Sequence, residues 1–407
     1  MTQYFWPENF RVNDLSTELV KRGHDVTVLT GEPNYPEGKV FESYRENPNN
    51  FSSYNGCDIV RVPMISRGKG SKVKLVLNYL SYALSASIYG LYKLKYQKFD
   101  VIFVFEPSPI TVGIPAVIFK KTKKAPIVFW VLDLWPETLK AVGIIKSKQL
   151  LRSIGALTSY IYNHCDLVLG QSKAFIKSIE ERCSEHTKVK YFPSWSEEIF
   201  QNKNIKEIPE IPRGDSFFNI LFAGNIGEAQ DFPAILATLA LLKQKTVSVR
   251  LFIVGAGRAE EWLKDEIEKK SLQEYVFFLG RYPLEDMPSF YSASDALLVS
   301  LQKNKTFAMT IPGKVQTYMA SGKPLLGMLD GEGARVINES RGGYACGSGD
   351  SEGLVNLVIK MSNLTPTERQ VLGMNAERYA KKEFNRGNLI SQLEDWFYEV
   401  SESKKLF

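Results

Sequence analysis

The amino-acid sequence predicts two successive doubly wound α/β domains. Its 407 residues exceed what a single hydrophobic core ordinarily serves. In both halves apolar strand-like runs alternate with helix-like stretches, the pattern of parallel sheets covered on both faces. Between residues 193 and 216 that rhythm lapses into a polar, proline-containing stretch, and then it restarts. With 44% hydrophobic and 24% charged residues, the composition suffices to fill two cores.

In the first half, residues 14–22 read as an amphipathic helix stopped by Gly23, and 25–30 (DVTVLT) as a strand before the turn-rich GEPNYPEG. Strands continue at 58–62, 100–106 (DVIFVFE), 125–133 (APIVFWVLD), 166–170 (DLVLG) and 189–192. In the second half strands fall at 218–223, 248–254, 276–279, 296–300 and 323–328. Helices are expected at 232–243 and 259–270, with a last one over about 366–397. The domains are therefore placed at 1–193 and 217–380, with a linker at 194–216 and a closing helical segment at 381–407. The opening MTQYFWPENF is a strand-to-helix turn with no strand before it. The favoured reading is a start downstream of the native one; the other is a domain without its usual central strand.

Residues 1–200 carry 26 Lys and Arg against 19 Asp and Glu, and the remainder 25 against 26, so the positive excess sits in the first half. A basic face suits a membrane surface, a phosphorylated substrate or nucleic acid, or is simply solvated. Cys57, Cys165, Cys183 and Cys346 form no CxxC pair, which argues against zinc and a disulfide framework and fits a reducing cytosol. With only His24, His164 and His186, neither a His-built metal site nor a Ser–His–Asp triad is expected. No Asp-x-Asp pair occurs to hold a divalent ion on a nucleotide diphosphate. Residues 75–92 run for eighteen positions without a charge, between Arg67, Lys69, Lys72 and Lys74 on one side and Lys93, Lys95 and Lys98 on the other. This segment is expected to be a mostly buried helix. Its rival readings are an aromatic, basic-flanked helix that docks on a membrane and, after that, a marginal transmembrane span.

In open α/β sheets, ligands gather at the carboxyl ends of strands, where loops and helix N-termini present N–H groups. Gly224, Asn225, Ile226, Gly227 and Gln230 follow such a strand, and the two glycines permit close backbone approach to an anion. Val254-Gly255-Ala256-Gly257 starts like a dinucleotide fingerprint but has Glu260 at the third glycine position, so it reads as a tightly packed turn. Thr310 to Lys314 enter a helix through Pro312 and Gly313. A lysine there opposes the helix dipole unless an anion sits beside it. Gly331, Glu332, Gly333 and Ala334 open another helix, with Glu332 as a cap or a hydroxyl-binding acid. In the first half, Asp133, Trp135 and Glu137 follow a buried strand and suit a polar, ring-shaped ligand.

Six stretches in register, QYFWPENFRVNDLSTELVKRGHDVTVLTGEPNYPEG, VLDLWPETL, FAGNIGEAQDF, SDALLVSL, IPGKVQTYMASGKPLL and LDGEGARVI, resemble the family-four retaining glycosyltransferases. The resemblance is strongest to the WbuB-like enzymes of bacterial O-antigen and capsule synthesis. It implies a GT-B fold: two Rossmann-like domains facing across a cleft, the nucleotide sugar on the second, no metal or other cofactor, and a C-terminal helix returning to the first. It also implies transfer of N-acetyl-L-fucosamine from its UDP donor to a polyprenyl-diphosphate-linked sugar. The enzyme would then be cytoplasmic, peripheral on the inner membrane face, with no nucleic-acid partner.

Where the family has an Arg and a Lys for the diphosphate, this chain has Asn225 and Gln230; where it has paired glutamates, this chain has Met309 and Thr317. The resemblance therefore assigns the lost positive charge to Lys314, with Arg281 assisting, and the lost acid to Glu332. Gly280 to Tyr282 would hold the base, and Thr310 would also touch the donor. Acceptor contacts fall to Glu8, Asn9, Arg11, Trp135 and Glu137, with Asp133, Glu8 or Glu137 orienting or deprotonating its hydroxyl. Two other readings fit the same residues: a nucleotide-sugar 2-epimerase, and a non-catalytic nucleotide-sugar-binding protein.

Overall fold

A computed structural model describes residues 1–68, 72–141, 143, 145–196, 198–201, 205–212, 214 and 216–405. Lys69 and parts of the expected linker lie outside the described residues. The chain divides into two compact units, Met1–Phe192 with Asn388–Phe407, and Pro193–Gly387.

The first unit contains β1 (Thr27–Gly31), β2 (Ser53–Tyr54), β3 (Cys57–Val62), β4 (Ile102–Glu106), β5 (Ile127–Val131), β6 (Leu167–Gly170) and β7 (Lys188–Tyr191). Strands β4 to β7 pair in sequence order and in parallel, whereas β1 pairs in parallel with β3, and β3 antiparallel with β2. Asn55 and Gly56, both at positive φ, make the two-residue turn joining β2 to β3. Residues 1–3 run between the two groups of strands. Thr2 N donates to Leu29 O (3.1 Å) and Gly31 N to Gln3 O (3.3 Å) on one side. On the other, Phe105 N donates to Met1 O (3.0 Å) and the Met1 amine to Phe103 O (2.7 Å). Three residues thus occupy the central position for which the sequence shows no strand. Strand β5 is buried throughout, which is why it reads as an unbroken apolar run.

One expectation is corrected here. Residues 75–92 do not form a mostly buried helix: Lys72–Ser85 continues through a wide π-turn at Ala86–Gly90 into Leu91–Lys93, and one side is bare. Asn78, Tyr82, Ala83, Ala86 and Gly90 face the unit, and Asn78 accepts from Gln3 Nε2 (2.7 Å). Val73, Leu77, Leu80, Leu84, Ile88, Tyr92 and Tyr96 recur three or four residues apart and are exposed. The segment is uncharged because two different surfaces take its apolar residues, and only one of them is core.

The second unit is one six-stranded parallel sheet of β8 (Phe218–Ala223), β9 (Val249–Val254), β10 (Val276–Gly280), β11 (Ala296–Ser300), β12 (Leu325–Met328) and β13 (Gly343–Cys346). Its order is β10-β9-β8-β11-β12-β13, so the winding reverses between β8 and β11. That reversal opens a crevice at the strands' carboxyl ends. Strand β13, four residues beside two glycines, had too weak a pattern to be seen in the sequence.

The expected single helix over 366–397 is two helices, Pro366–Glu383 and Arg386–Lys405. The break falls at Phe384, whose side chain is buried in the second unit's core and holds the chain out of helical register. Residues from Asn388 onward belong to the first unit. There Trp396 packs on Phe192, Phe397 on Phe103, and Glu394 binds Arg22 (2.7 Å) and His24 (2.7 Å).

Candidate active site

In the second unit three loops converge beyond the ends of β8, β9 and β10. Gly224 N donates to Val254 O (2.8 Å), Ile226 N to Ala256 O (3.1 Å) and Gly255 N to Gly280 O (2.7 Å). A Cβ on Gly255 would lie 2.0 Å from Gly224 O, and one on Gly257 2.0 Å from Ile226 O. These glycines let one loop pack directly on the next.

The residue that completes this site is Lys314. It stands at the start of the helix Gly313–Ala320, whose first turn contains no acid. Its side chain crosses Gly224: a Cβ there would lie 2.6 Å from Lys314 Cε, and Gly224 has φ +135°. Lys314 Nζ sits 3.6 Å from the centroid of the Phe222 ring. It is buried and has no hydrogen-bond partner among the described residues. Burial lowers its pKa from 10.5 to about 7. A cation without a counter-ion, at the positive end of a helix, is an arrangement that a bound anion relieves. Phe222, whose ring face lies against the ammonium, was not singled out in the sequence.

The remaining loops close around the same crevice. Gly331 (φ +67°) lies against Ala308, where a Cβ would meet its carbonyl at 1.9 Å, and Gly333 packs on Leu329 and Pro312. Glu332 is buried and bound on both oxygens by Arg335, at 2.7 and 3.2 Å. It is a neutralised acid; Arg335, three residues on, was not anticipated. Gln230 Oε1 is buried without a partner among the described residues, and both it and Asn225 Nδ2 border Gly227. Ile226 is fully buried, and its N–H and C=O bond Ala256 and Ala259, so it is committed to structure. Thr310 Oγ1 donates to Thr306 O (2.8 Å). Arg281 is exposed, and Tyr282 packs on Phe290.

In the first unit, Asp133 Oδ2 accepts from Trp135 Nε1 (3.1 Å), and Oδ1 accepts from Thr138 Oγ1. Burial raises the Asp133 pKa. Trp135 meets Tyr79 edge-on at 5.9 Å. Beside them stands Glu106, the last residue of β4, fully buried. Neither of its carboxylate oxygens has a hydrogen-bond partner within 3.5 Å among the described residues. Burial first, and then the Asp133 charge, push its pKa well above the carboxylate range, opposed by the N–H groups of Asp133 and Leu132. Glu106 was missed, although it closes an apolar strand as Asp133 does.

Glu8 is a structural clamp: Oε1 accepts from Asn34 N (2.8 Å) and Tyr35 N (2.7 Å), and Oε2 from Phe5 N (3.2 Å). Burial lifts its pKa to about 7. Glu137 is paired with Arg182, Asn9 is exposed and Arg11 half-buried. Among the described residues no three His, Cys, Asp or Glu side chains gather as a metal-ligating group.

The Glycosyl transferase 4-like domain family matches residues 9–195, and the Glycosyl transferases group 1 family matches residues 203–379. A putative colanic acid biosynthesis glycosyl transferase of Escherichia coli K12 is 23% identical over 389 residues, 92% of each chain. Among solved structures, sucrose-phosphate synthase from Thermosynechococcus elongatus aligns with a TM-score of 0.67 at 14% identity, covering 96% of this chain and 93% of that one. Anabaena HepE in complex with UDP and glucose aligns with a TM-score of 0.65 at 14% identity, covering 98% of both.

Proposed function

The chain is a glycosyltransferase of the GT-B fold class, built of a glycosyl transferase 4-like domain and a group 1 domain, and we propose that its second unit binds a UDP-sugar through Lys314. The observation that carries this is the buried, unpartnered ammonium over Phe222, beside Gly224. HepE, with UDP and glucose bound, shares this fold and lends support.

Cleavage of the anomeric C–O bond leaves negative charge on the diphosphate. Lys314, already in place and shielded from water, stabilises that charge without reorganising. Neutral Asn225 and Gln230 flank the same loop and offer amide N–H groups to phosphate oxygens. Arg281 and the backbone of Gly280 to Tyr282 hold the nucleoside. Glu332, its orientation fixed by Arg335, accepts hydrogen bonds from sugar hydroxyls. Reaction proceeds with retention by front-face attack, the leaving phosphate taking the acceptor's proton, and needs no metal.

The acceptor binds the first unit, with its sugar on Trp135 and its hydroxyl oriented by Asp133. The acceptor is a polyprenyl-diphosphate-linked saccharide of a bacterial surface polysaccharide, and the sugar moved is N-acetyl-L-fucosamine. No helix among the described residues is long and apolar enough to cross a membrane. The exposed stripe from Val73 to Tyr96 instead suits an interfacial position, with Lys95 lying over the Tyr92 and Tyr96 rings (4.9 and 4.7 Å). Mass spectrometry of a lipid-linked N-acetylhexosamine incubated with a panel of UDP-sugars tests the reading. A product heavier by one sugar supports it. Epimerised sugar without acceptor, or UDP binding with no turnover, replaces it with an epimerase or a binding protein.

A further inference from the structure

A cavity of about 770 Å³ opens in the first unit; neither Asp133 nor Glu106 lines it, but Pro136 of its wall follows Asp133 by three residues. Its wall carries Lys140, Lys146, Lys148, Arg152 and Arg182, and no carboxylate among its described lining residues. Arg182 is built in: it pairs with Glu137 and lies over Gly155, where a Cβ would come within 3.1 Å of its guanidinium. The other four cations have no ion-pair partner among the described residues. Three of them crowd the start of the helix Lys148–His164, whose first turn has no acid. Like charges gathered at the positive end of a helix repel one another and the dipole. A chain free to place acids there, as it does elsewhere, has left the charge uncompensated over a cavity large enough for a ligand.

We propose that this cavity binds a phosphate-bearing anion, and that the group it takes is the diphosphate joining the acceptor sugar to its lipid. The assignment rests on the reading of the first unit as the acceptor domain. Pro136 of the wall precedes the short helix Glu137–Ala141, which carries Lys140 of the wall and Thr138, and Thr138 donates its hydroxyl to Asp133. Pro136 directly follows Trp135, so an acceptor sugar held at Asp133 and the edge of the buried Trp135 would direct its anionic tether toward the cations.

The test is titration of the full chain, saturated with UDP so that the second unit is filled, with inorganic pyrophosphate. A Lys146→Glu/Arg152→Glu variant and a charge-keeping Lys146→Arg/Arg152→Lys variant are run alongside, with UDP affinity as the check of fold. The expected result is one pyrophosphate site, at least tenfold weaker in the reversed variant and kept in the other. The reversed variant also raises KM for a lipid-diphosphate acceptor tenfold, and pyrophosphate competes with that acceptor. Equal pyrophosphate binding by all three chains, or none by the wild type, overturns the site while leaving sugar transfer untouched. Pyrophosphate binding without competition, with loss of binding to phosphatidylglycerol vesicles in the reversed variant, overturns the acceptor assignment in favour of a lipid headgroup. Pyrophosphate binding by a chain that glycosylates no lipid-linked acceptor overturns the acceptor reading itself.

Discussion

Lys314 Nζ lies 3.6 Å from the centre of the Phe222 ring, one residue before the turn at Ala223 and Gly224 that its own side chain crosses. The ring face offers a weak attraction of about 1–2 kcal/mol when desolvated, far less than the hydration an ammonium loses on burial. The lysine is therefore held in an unfavourable place by the fold around it.

Stability should register that cost. The folded pKa of about 7 lies below the ordinary 10.5, so between those values the unfolded chain binds more protons. The contribution of this group then makes the ligand-free chain more stable as pH rises from 7 toward 10.5, and less stable as pH falls. A Lys314→Met variant should melt higher than the wild type at pH 7, with the gap closing by about pH 10. Differential scanning calorimetry across that range measures it; a variant that melts lower at pH 7 contradicts the account.

Glu106 gives the complementary case. Its pKa is raised, so the stability it contributes is present below the ordinary carboxylate range and is lost as pH rises through its folded value. Glu106→Gln keeps the shape and removes the charge. It should stabilise the chain at pH 8 and leave it unchanged at pH 4. If the Glu106–Asp133 neighbourhood also tunes acceptor activation, the same variant shifts the acid limb of the kcat/KM profile, a readout that packing alone would not move.

Much of the fold was legible because it rests on local patterns. The buried strand β5 is an unbroken apolar run, and β8 and β11 are each apolar but for one residue (Asn219 and Ser300); their positions in the sequence and the structure agree within a few residues. The helix over 72–93 was misjudged because hydropathy counts apolar residues without saying which surface receives them. Strand-end loops around Gly224, Lys314 and Gly331 were visible as glycine-marked turns. What the sequence did not show is contact at a distance: that Ile226 belongs to the core, and that Glu106 stands beside Asp133. The i,i+3 pair of Glu332 and Arg335 on one helix was open to sequence reading and was overlooked. Five cations spread from Lys140 to Arg182 likewise become one patch only when the helices fold together.

The bare stripe yields a separable prediction. Leu77→Ser/Leu84→Ser alters two side chains that are 43% and 64% exposed, so the core is little disturbed. Transferring a Leu side chain out of water contributes about 1.5–3 kcal/mol, so the pair should weaken binding to anionic vesicles at least tenfold. Sedimentation with phosphatidylglycerol liposomes reads this out, with Tm held within about 1 °C. Unchanged sedimentation would remove the stripe from the membrane contact.

Gly255 carries the arrangement of the donor loops. At φ +140° and with Gly224 O 2.0 Å from a would-be Cβ, Gly255→Ala must push the β8 loop aside. The expected cost is roughly 2–3 kcal/mol of stability together with a loss of UDP affinity. Urea unfolding and UDP titration on the same sample show whether the two losses come together.

The central claim is that Lys314 grips the diphosphate, and calorimetric titration of UDP into the wild type and Lys314→Met at pH 7 and pH 9 tests it most directly. In the wild type, affinity should fall as pH rises above about 7, because the free lysine then lacks its proton and must take one up on binding. Lys314→Met should bind UDP about 10–10²-fold more weakly at pH 7, with that pH dependence gone, a loss of the size expected for removing one hydrogen bond between charged groups, about 1.5–3 kcal/mol. Equal affinity in the two chains, with the same pH dependence, would contradict the account.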